Sequence, residues 1–205
     1  MQLIGVIEKV EKGKLSFMKQ STIIWIVVLI ALDQGIKLFI AHFMMEAEFT
    51  IIPDVFNFQT YHNINLGWIP NMLDFMMPLY MAIVVSVVVM LLMVVYARYL
   101  KFLTGSWEKY SNLPHIFLIF VLAGGFCKLI DDIFWGGSLD YIQLFDWFIF
   151  DLKDVYLTTI AIPVGGFFII THEVRLQQLP KERRKVEQRK QSFWYWIKLG
   201  FPMKP

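Results

Sequence analysis

Charge is scarce in this chain: 18% of its 205 residues are Asp, Glu, Lys or Arg, while 57% are hydrophobic. A soluble domain carries about 25% charged residues, so a soluble globular class is excluded. The length allows one compact membrane domain and leaves no room for a second large soluble one. Cysteine is nearly absent: Cys127 stands alone, which excludes an internal disulfide, and within its apolar run it reads as a small core residue. His42, His62, His115 and His172 show no HExxH-type spacing, so no metal is expected. No serine sits in a nucleophile motif. No nucleic-acid partner, nucleotide or other cofactor is called for. Lysine and arginine are missing from 45–74, and 132–153 holds only Lys153.

Four apolar stretches reach the ~20 residues a helix needs to cross hydrocarbon: 22–44, 75–95, 115–134 and 155–171. The first is too long, and too interrupted by Asp33 and Lys37, to be a cleavable signal peptide. The second carries no charge from Ala82 to Val95 and is expected to be the most lipid-facing. Gly124-Gly125 and Gly165-Gly166 mark places where helices can approach closely. The expected architecture is mainly α, an integral membrane bundle of four transmembrane helices with a small extracytoplasmic β element. It divides into a cytoplasmic segment 1–20, a membrane domain 21–175 and a basic, aromatic tail 176–205.

Orientation follows from the basic residues, which favour the cytoplasmic side. They gather in the N-terminal segment (Lys9, Lys12, Lys14, Lys19), between the second and third spans (Arg98, Lys101, Lys109) and in the tail. Both termini are therefore expected in the cytoplasm, with two loops outside. In the first loop, 56–61 alternates apolar and polar residues, the pattern of a short strand. The second, 135–151, is rich in aromatics and is expected in the headgroup region. The charge run 175–190 is suited to anionic lipid, and 192–197 reads as an interfacial anchor.

Asp131 closes the third apolar run and Asp154 opens the fourth. Carboxylates there are costly, which makes them functional candidates, and the topology puts both on the outer side. Two carboxyls that share one proton are the minimum equipment of an aspartic protease. Asp33 and Lys37, four apart on one helix face, can pair.

These residues lie in motifs that resemble those of the lipoprotein signal peptidases, signal peptidase II. Asp33-Gln34-Gly35-Ile36-Lys37 resembles DQxxK, and Phe56-Asn57-Phe58, Asn63 and Trp68 resemble a strand followed by an NxGAAW/F segment. Gly124 to Asp131 resembles GGxxNxxDR, with Asp132 in place of the arginine, Gly137 to Ile142 resembles GxVxDFI, and Phe150 to Asp154 resembles FNxAD. Five motifs stand in the family's order between about residues 21 and 175. The resemblance implies a membrane aspartyl endopeptidase of the bacterial inner membrane. Asp131 and Asp154 would be catalytic, with Asp33, Lys37, Asn63, Trp68, Lys128, Asp132 and Asp140 binding substrate or shaping the site. Its implied partners are membrane lipids and a prolipoprotein carrying a diacylglyceryl cysteine.

The chain departs from the pattern beside both aspartates: Lys128 and Asp132 flank Asp131, and Asp151 and Lys153 precede Asp154. Since unpaired buried charge is costly, Lys128 and Lys153 are expected to be neutralised by Asp132, Asp151 or Asp140. Two other readings stand beside the peptidase. One is a non-proteolytic relative that binds a lipopeptide or a partner transmembrane helix. The other is a small carrier built on intramembrane carboxylates, disfavoured by the lack of an internal repeat.

Overall fold

The structure, a computed structural model, describes residues 20–65, 73, 76–104, 112–145 and 147–202. Four helices are long and apolar enough to cross a membrane: α1 (Gln20–Phe43), α2 (Leu79–Leu103), α3 (Leu113–Trp135) and α4 (Leu152–Gln177). All four expected spans are present, and each helix is longer than its apolar run. α2 begins after Pro78, whose fixed φ suits a helix start. It then continues past Arg98 and Lys101, because long basic side chains reach the interface without ending a helix. α4 starts before Val155 because Asp151 caps it.

α3 is the central helix. Phe117, Leu118, Val121 and Leu122 meet Ile26 of α1, Ala97 and Leu100 of α2, and Ala161 and Phe168 of α4. α2 lies at the edge: 6% of its apolar window is buried, against 44% for α3, which agrees with the lipid-facing role read from its sequence. The glycines act largely as expected. A Cβ on Gly124 would strike Leu157 and one on Gly125 would strike Met90; on Gly165 it would sit tightly against Phe117 at 3.3 Å, whereas Gly166 has open space.

Strands β1 (Phe49–Ile52), β2 (Phe56–Asn63), β3 (Ser138–Leu144) and β4 (Phe148–Phe150) form one antiparallel sheet in the order β1-β2-β3-β4. β2 is the alternating segment of the first loop. β3 and β4 occupy the second, which the sequence reading placed in the headgroup region without strands. The difference arises because β3 is buried along both faces. Leu139 and Tyr141 pack with Ile40 of α1 and Phe58 of β2, while Ser138 and Asp140, alternate on the strand, point into a polar centre. Trp147 keeps the exposure of an interfacial aromatic most fully, at 88%, and Phe145 and Phe148 are exposed as well. Because β2 pairs with β3, the two loops lie at the same end of the bundle.

The sheet joins α3 through a tight reversal. α3 widens into a π-turn over Asp131–Trp135 and stops at Gly136, whose φ of 67° is left-handed. Gly137 follows at φ 154°, opposite the end of β2, where an added Cβ would lie 2.5 Å from the Asn63 carbonyl oxygen. Both the dihedral and the backbone contact demand glycine. Gly137→Ala is therefore expected to cost about 1–3 kcal/mol, read as a fall of several degrees in thermal unfolding. An unchanged midpoint would mean that β2 and β3 do not meet as described.

The tail forms α5 (Lys181–Lys190) and α6 (Phe193–Lys198). The expected anchor at 192–197 is part protein core: Trp196 is fully buried against Phe102 and Leu103 of α2, and Trp194 stays 74% exposed. The segment 1–19, Lys109 and Trp68 lie outside the described residues.

Candidate active site

Four chain segments meet at the sheet end of the bundle. α1 contributes Asp33, Gln34 and Lys37, and the π-turn of α3 contributes Asp131 and Trp135. β3 contributes Ser138 and Asp140, and the start of α4 contributes Asp151, Lys153 and Asp154.

The start of α4 is set by local chemistry. Asp151 and Asp154 form a reciprocal capping box: the Asp151 carboxylate accepts from the Asp154 N–H at 3.2 Å, and the Asp154 carboxylate accepts from the Asp151 N–H at 3.4 Å. Carboxylates suit a helix N-terminus, where N–H groups lack partners. Asp33 reaches across from α1 and accepts the Lys153 N–H at 3.0 Å. Just beyond, Val155–Ala161 is a π-helical segment, followed by Pro163 in the first turn of the regular helix. Proline lacks an N–H and its ring crowds the carbonyl four residues back; the wider π-turn accommodates it. Such segments often sit at functional sites.

The carboxylates fall into two neighbouring groups. In the first, Lys37 Nζ, wholly buried, lies 3.0 Å from Asp33, 2.6 Å from Asp131 and 2.6 Å from Asp151. Asp131 also accepts from Gln34 at 3.0 Å and lies 3.3 Å from Lys153 Nζ. Gln34 in turn accepts from Trp135 Nε1 at 3.1 Å. Asp131 is 0% exposed and its oxygens are held by two ammonium groups and an amide. In the second group, Asp140, Asp151 and Asp154 bring carboxylate oxygens within 4.8 Å of one another. Asp154 is partly exposed there.

The expected ion pairs form. Lys128 contacts Asp132, and Lys153 lies 2.5 Å from Asp151 and 3.7 Å from Asp140. Asp132 is buried, and its Oδ2 has no hydrogen-bond partner among the described residues. Lys128→Asn alone would strand that carboxylate, at a cost of about 3–5 kcal/mol. The double exchange Lys128→Asn/Asp132→Asn is expected to restore stability in thermal unfolding. Equal loss in single and double variants would show that the pair contributes nothing.

Ser138 ties the groups together. Its Oγ is 2.7 Å from Asp140, 3.1 Å from Asp151 and 3.3 Å from Asp131, and it contacts the Lys153 ammonium. One hydroxyl has one proton, so it donates to one carboxylate at a time. Burial pushes the Asp140 carboxyl up to about 6, with the Lys153 ammonium opposing and the Asp151 carboxylate reinforcing. Asp151 is also buried, yet Lys153 and Lys37 outweigh that and hold it below the usual carboxylate range. The three-carboxylate group has the donor chemistry of a hard cation site, but the Lys153 ammonium already supplies positive charge between two of its members.

Of the residues named from sequence, Asp33, Lys37, Asp131, Asp140 and Asp154 converge. Asn63 ends β2 opposite Ser138 and turns its amide oxygen to the Asn65 N–H at 3.2 Å. Lys128 and Asp132 form their own pair. Gln34 and Ser138 carried no role in the sequence reading. Both lie inside motifs, and polar residues of that kind at membrane depth were the available signal.

Comparison with known proteins agrees with this architecture. Two solved structures share the fold, both described as a bacterial membrane enzyme determined by the in meso method. The one at 2.3 Å resolution has a TM-score of 0.56 at 20% identity, over 79% of this chain and 92% of its own. The one at 1.9 Å has a TM-score of 0.51 at 20% identity, over 74% and 90%. No curated protein sequence matches the chain. The family model described as Signal peptidase (SPase) II matches residues 25–173, a stretch holding all four spans' apolar cores, the sheet and every carboxylate of the site. The chain is an integral membrane protein that belongs to the signal peptidase II family.

Proposed function

We propose that this protein is an aspartyl endopeptidase that removes the signal peptide from lipid-modified prolipoproteins, with Asp140 and Asp154 as the reacting pair. The observation that carries this reading is their grouping within 4.8 Å, at a site where one partner is reached by solvent. Of the pair expected from sequence, Asp154 keeps its place. Asp131 becomes a positioning residue that orders Lys37 and Gln34, since it is 0% exposed, with two ammonium groups on one oxygen and the Gln34 amide on the other. One carboxylate takes a proton from water as the other, protonated, donates to the scissile carbonyl oxygen. A carboxyl titrating at about 6 is suited to that exchange near neutral pH. The substrate is a precursor whose cysteine carries a diacylglyceryl group, entering from the bilayer.

The test is cleavage of a lipidated precursor by the purified chain, with Asp154→Asn as control. A second reading rests on Lys153, whose ammonium lies 3.7 Å from Asp140: a fixed cation beside the pair favours two ionised carboxylates and a non-proteolytic relative that binds a lipopeptide. Absence of cleavage from pH 5 to 8, with lipopeptide binding intact, would select it.

The site faces the outer side of a bacterial inner membrane, and both termini are cytoplasmic. Support comes from the basic residues at the end opposite the sheet and their absence from 45–65 and 136–150. In spheroplasts of a Cys127→Ser background, a cysteine at Thr50 is expected to react with an impermeant reagent and one at Gln188 only after lysis. The reverse pattern would invert the topology.

A further inference from the structure

We infer that α5 and α6 form a preordered surface for the anionic headgroups of the leaflet at the end opposite the site. Six of the ten residues in α5 are basic and two are acidic. Lys181, Arg183, Lys185, Arg189 and Lys190 are all exposed. This segment lies beyond the residues matched by the family model.

Its position is fixed from both ends. Three residues separate Gln177 of α4 from Lys181, a reach of at most about 14 Å even when extended. Here they are turned back, with the Gln178 and Leu179 N–H groups donating to Arg175 and Leu176 at 3.2 Å each. At the far end, Gln191 bridges two spans: its carbonyl accepts from the Tyr99 hydroxyl of α2 at 2.6 Å, and its side chain meets His172 of α4 at 2.9 Å. Trp196 then closes the unit, its ring tilted against that of Tyr99 with centroids 5.4 Å apart and its Nε1 donating to the Pro202 carbonyl at 2.8 Å. A basic helix held there stays within about one Debye length, ~8 Å, of the headgroups, where each added cation strengthens anionic-lipid binding. Trp194, 74% exposed on α6, adds an aromatic of the type that favours the interface. The occupant that fits is an anionic phospholipid headgroup, since the patch is cationic, continuous with two spans and confined to the bilayer boundary.

The experiment equilibrates the full-length protein with mixed micelles of phosphatidylglycerol and phosphatidylcholine. The ratio of the two lipids retained after purification is then measured by mass spectrometry. Phosphatidylglycerol is expected to be enriched over the input, and Arg183→Gln/Lys185→Gln/Arg189→Gln to lower the enrichment by roughly fivefold per charge removed. In 1 M salt, where the Debye length is about 3 Å, the enrichment should vanish. Trp196→Ala keeps every charge and tests the docking; it is expected to weaken the enrichment severalfold. A wild-type ratio equal to the input, or a triple variant with unchanged enrichment, overturns the lipid surface and leaves α5 to a protein partner. Unchanged enrichment in Trp196→Ala overturns its preordering. Lipid composition is read without any cleavage, so the outcome does not depend on the peptidase assignment.

Discussion

Asp140→Asn and Asp154→Asn are each expected to slow cleavage of a lipidated precursor by on the order of 10²–10⁴, with the chain still folded. Removing either carboxyl leaves the other without a partner to hand its proton to. Asp140→Asn also carries a signature in stability. Asp140 titrates at about 6 in the folded protein, against an ordinary value of 3.8. A raised carboxyl stabilises the fold below about pH 4 and loses that contribution as pH rises through 6. Asparagine carries no charge to bury and still accepts from Ser138, so Asp140→Asn should be more stable than the parent above pH 6, by up to roughly 3 kcal/mol. Asp154→Asn keeps an oxygen that can accept from the Asp151 N–H, so the capping box and the fold should survive it. Asp131→Asn should reduce stability more than turnover. Should Asp131→Asn instead abolish turnover in a folded chain while Asp140→Asn leaves it intact, the reacting pair is Asp131 and Asp154, as first read from the sequence.

Lys37→Met should be the most damaging single change for the fold. Its ammonium, wholly buried, contacts Asp33, Asp131 and Asp151. Breaking a buried ion pair from one side costs about 3–5 kcal/mol, because a charge is left uncompensated. In a chain of this length each kcal/mol moves the unfolding midpoint by about 2–4 °C, so a fall on the order of 10 °C is expected. Asp131→Asn added to Lys37→Met should recover part of it. A double-mutant cycle whose coupling stays under about 0.5 kcal/mol would mean that the two residues do not share a network.

The membrane architecture was legible because length and lack of charge decide it locally. Each span could be found without knowing its neighbours. The sheet was legible only in part. β2 shows itself by apolar and polar residues in alternation from Phe56 to Tyr61, whereas the first half of β3 is buried on both sides, so its aromatics looked like interface. The site shows the same limit. Asp131 and Asp140 both stand in motifs at the end of one span, and nothing local separates them. What separates them is register: pairing of β2 with β3 and the reversal at Gly136-Gly137 turn Asp140 toward Asp154 and leave Asp131 to Lys37. Charge compensation was legible, since Lys128 and Asp132 are one helical turn apart and Lys153 follows Asp151 within the same cap. That Lys37 would serve three carboxylates from three elements was not, because only tertiary contact reveals it.

The widened turn at 155–161 has a consequence for how this protein can change. It holds a residue more than a regular turn needs. Excising one residue there returns the ladder to its ordinary spacing, and because a wide turn absorbs its extra residue locally, Asp151, Lys153 and Asp154 keep nearly their azimuth against the rows beyond Pro163. What the excision removes is the room for the proline ring, which then crowds the carbonyl four residues back. The extra residue and Pro163 are thus tied to each other, and one is lost without harm only when the other goes with it.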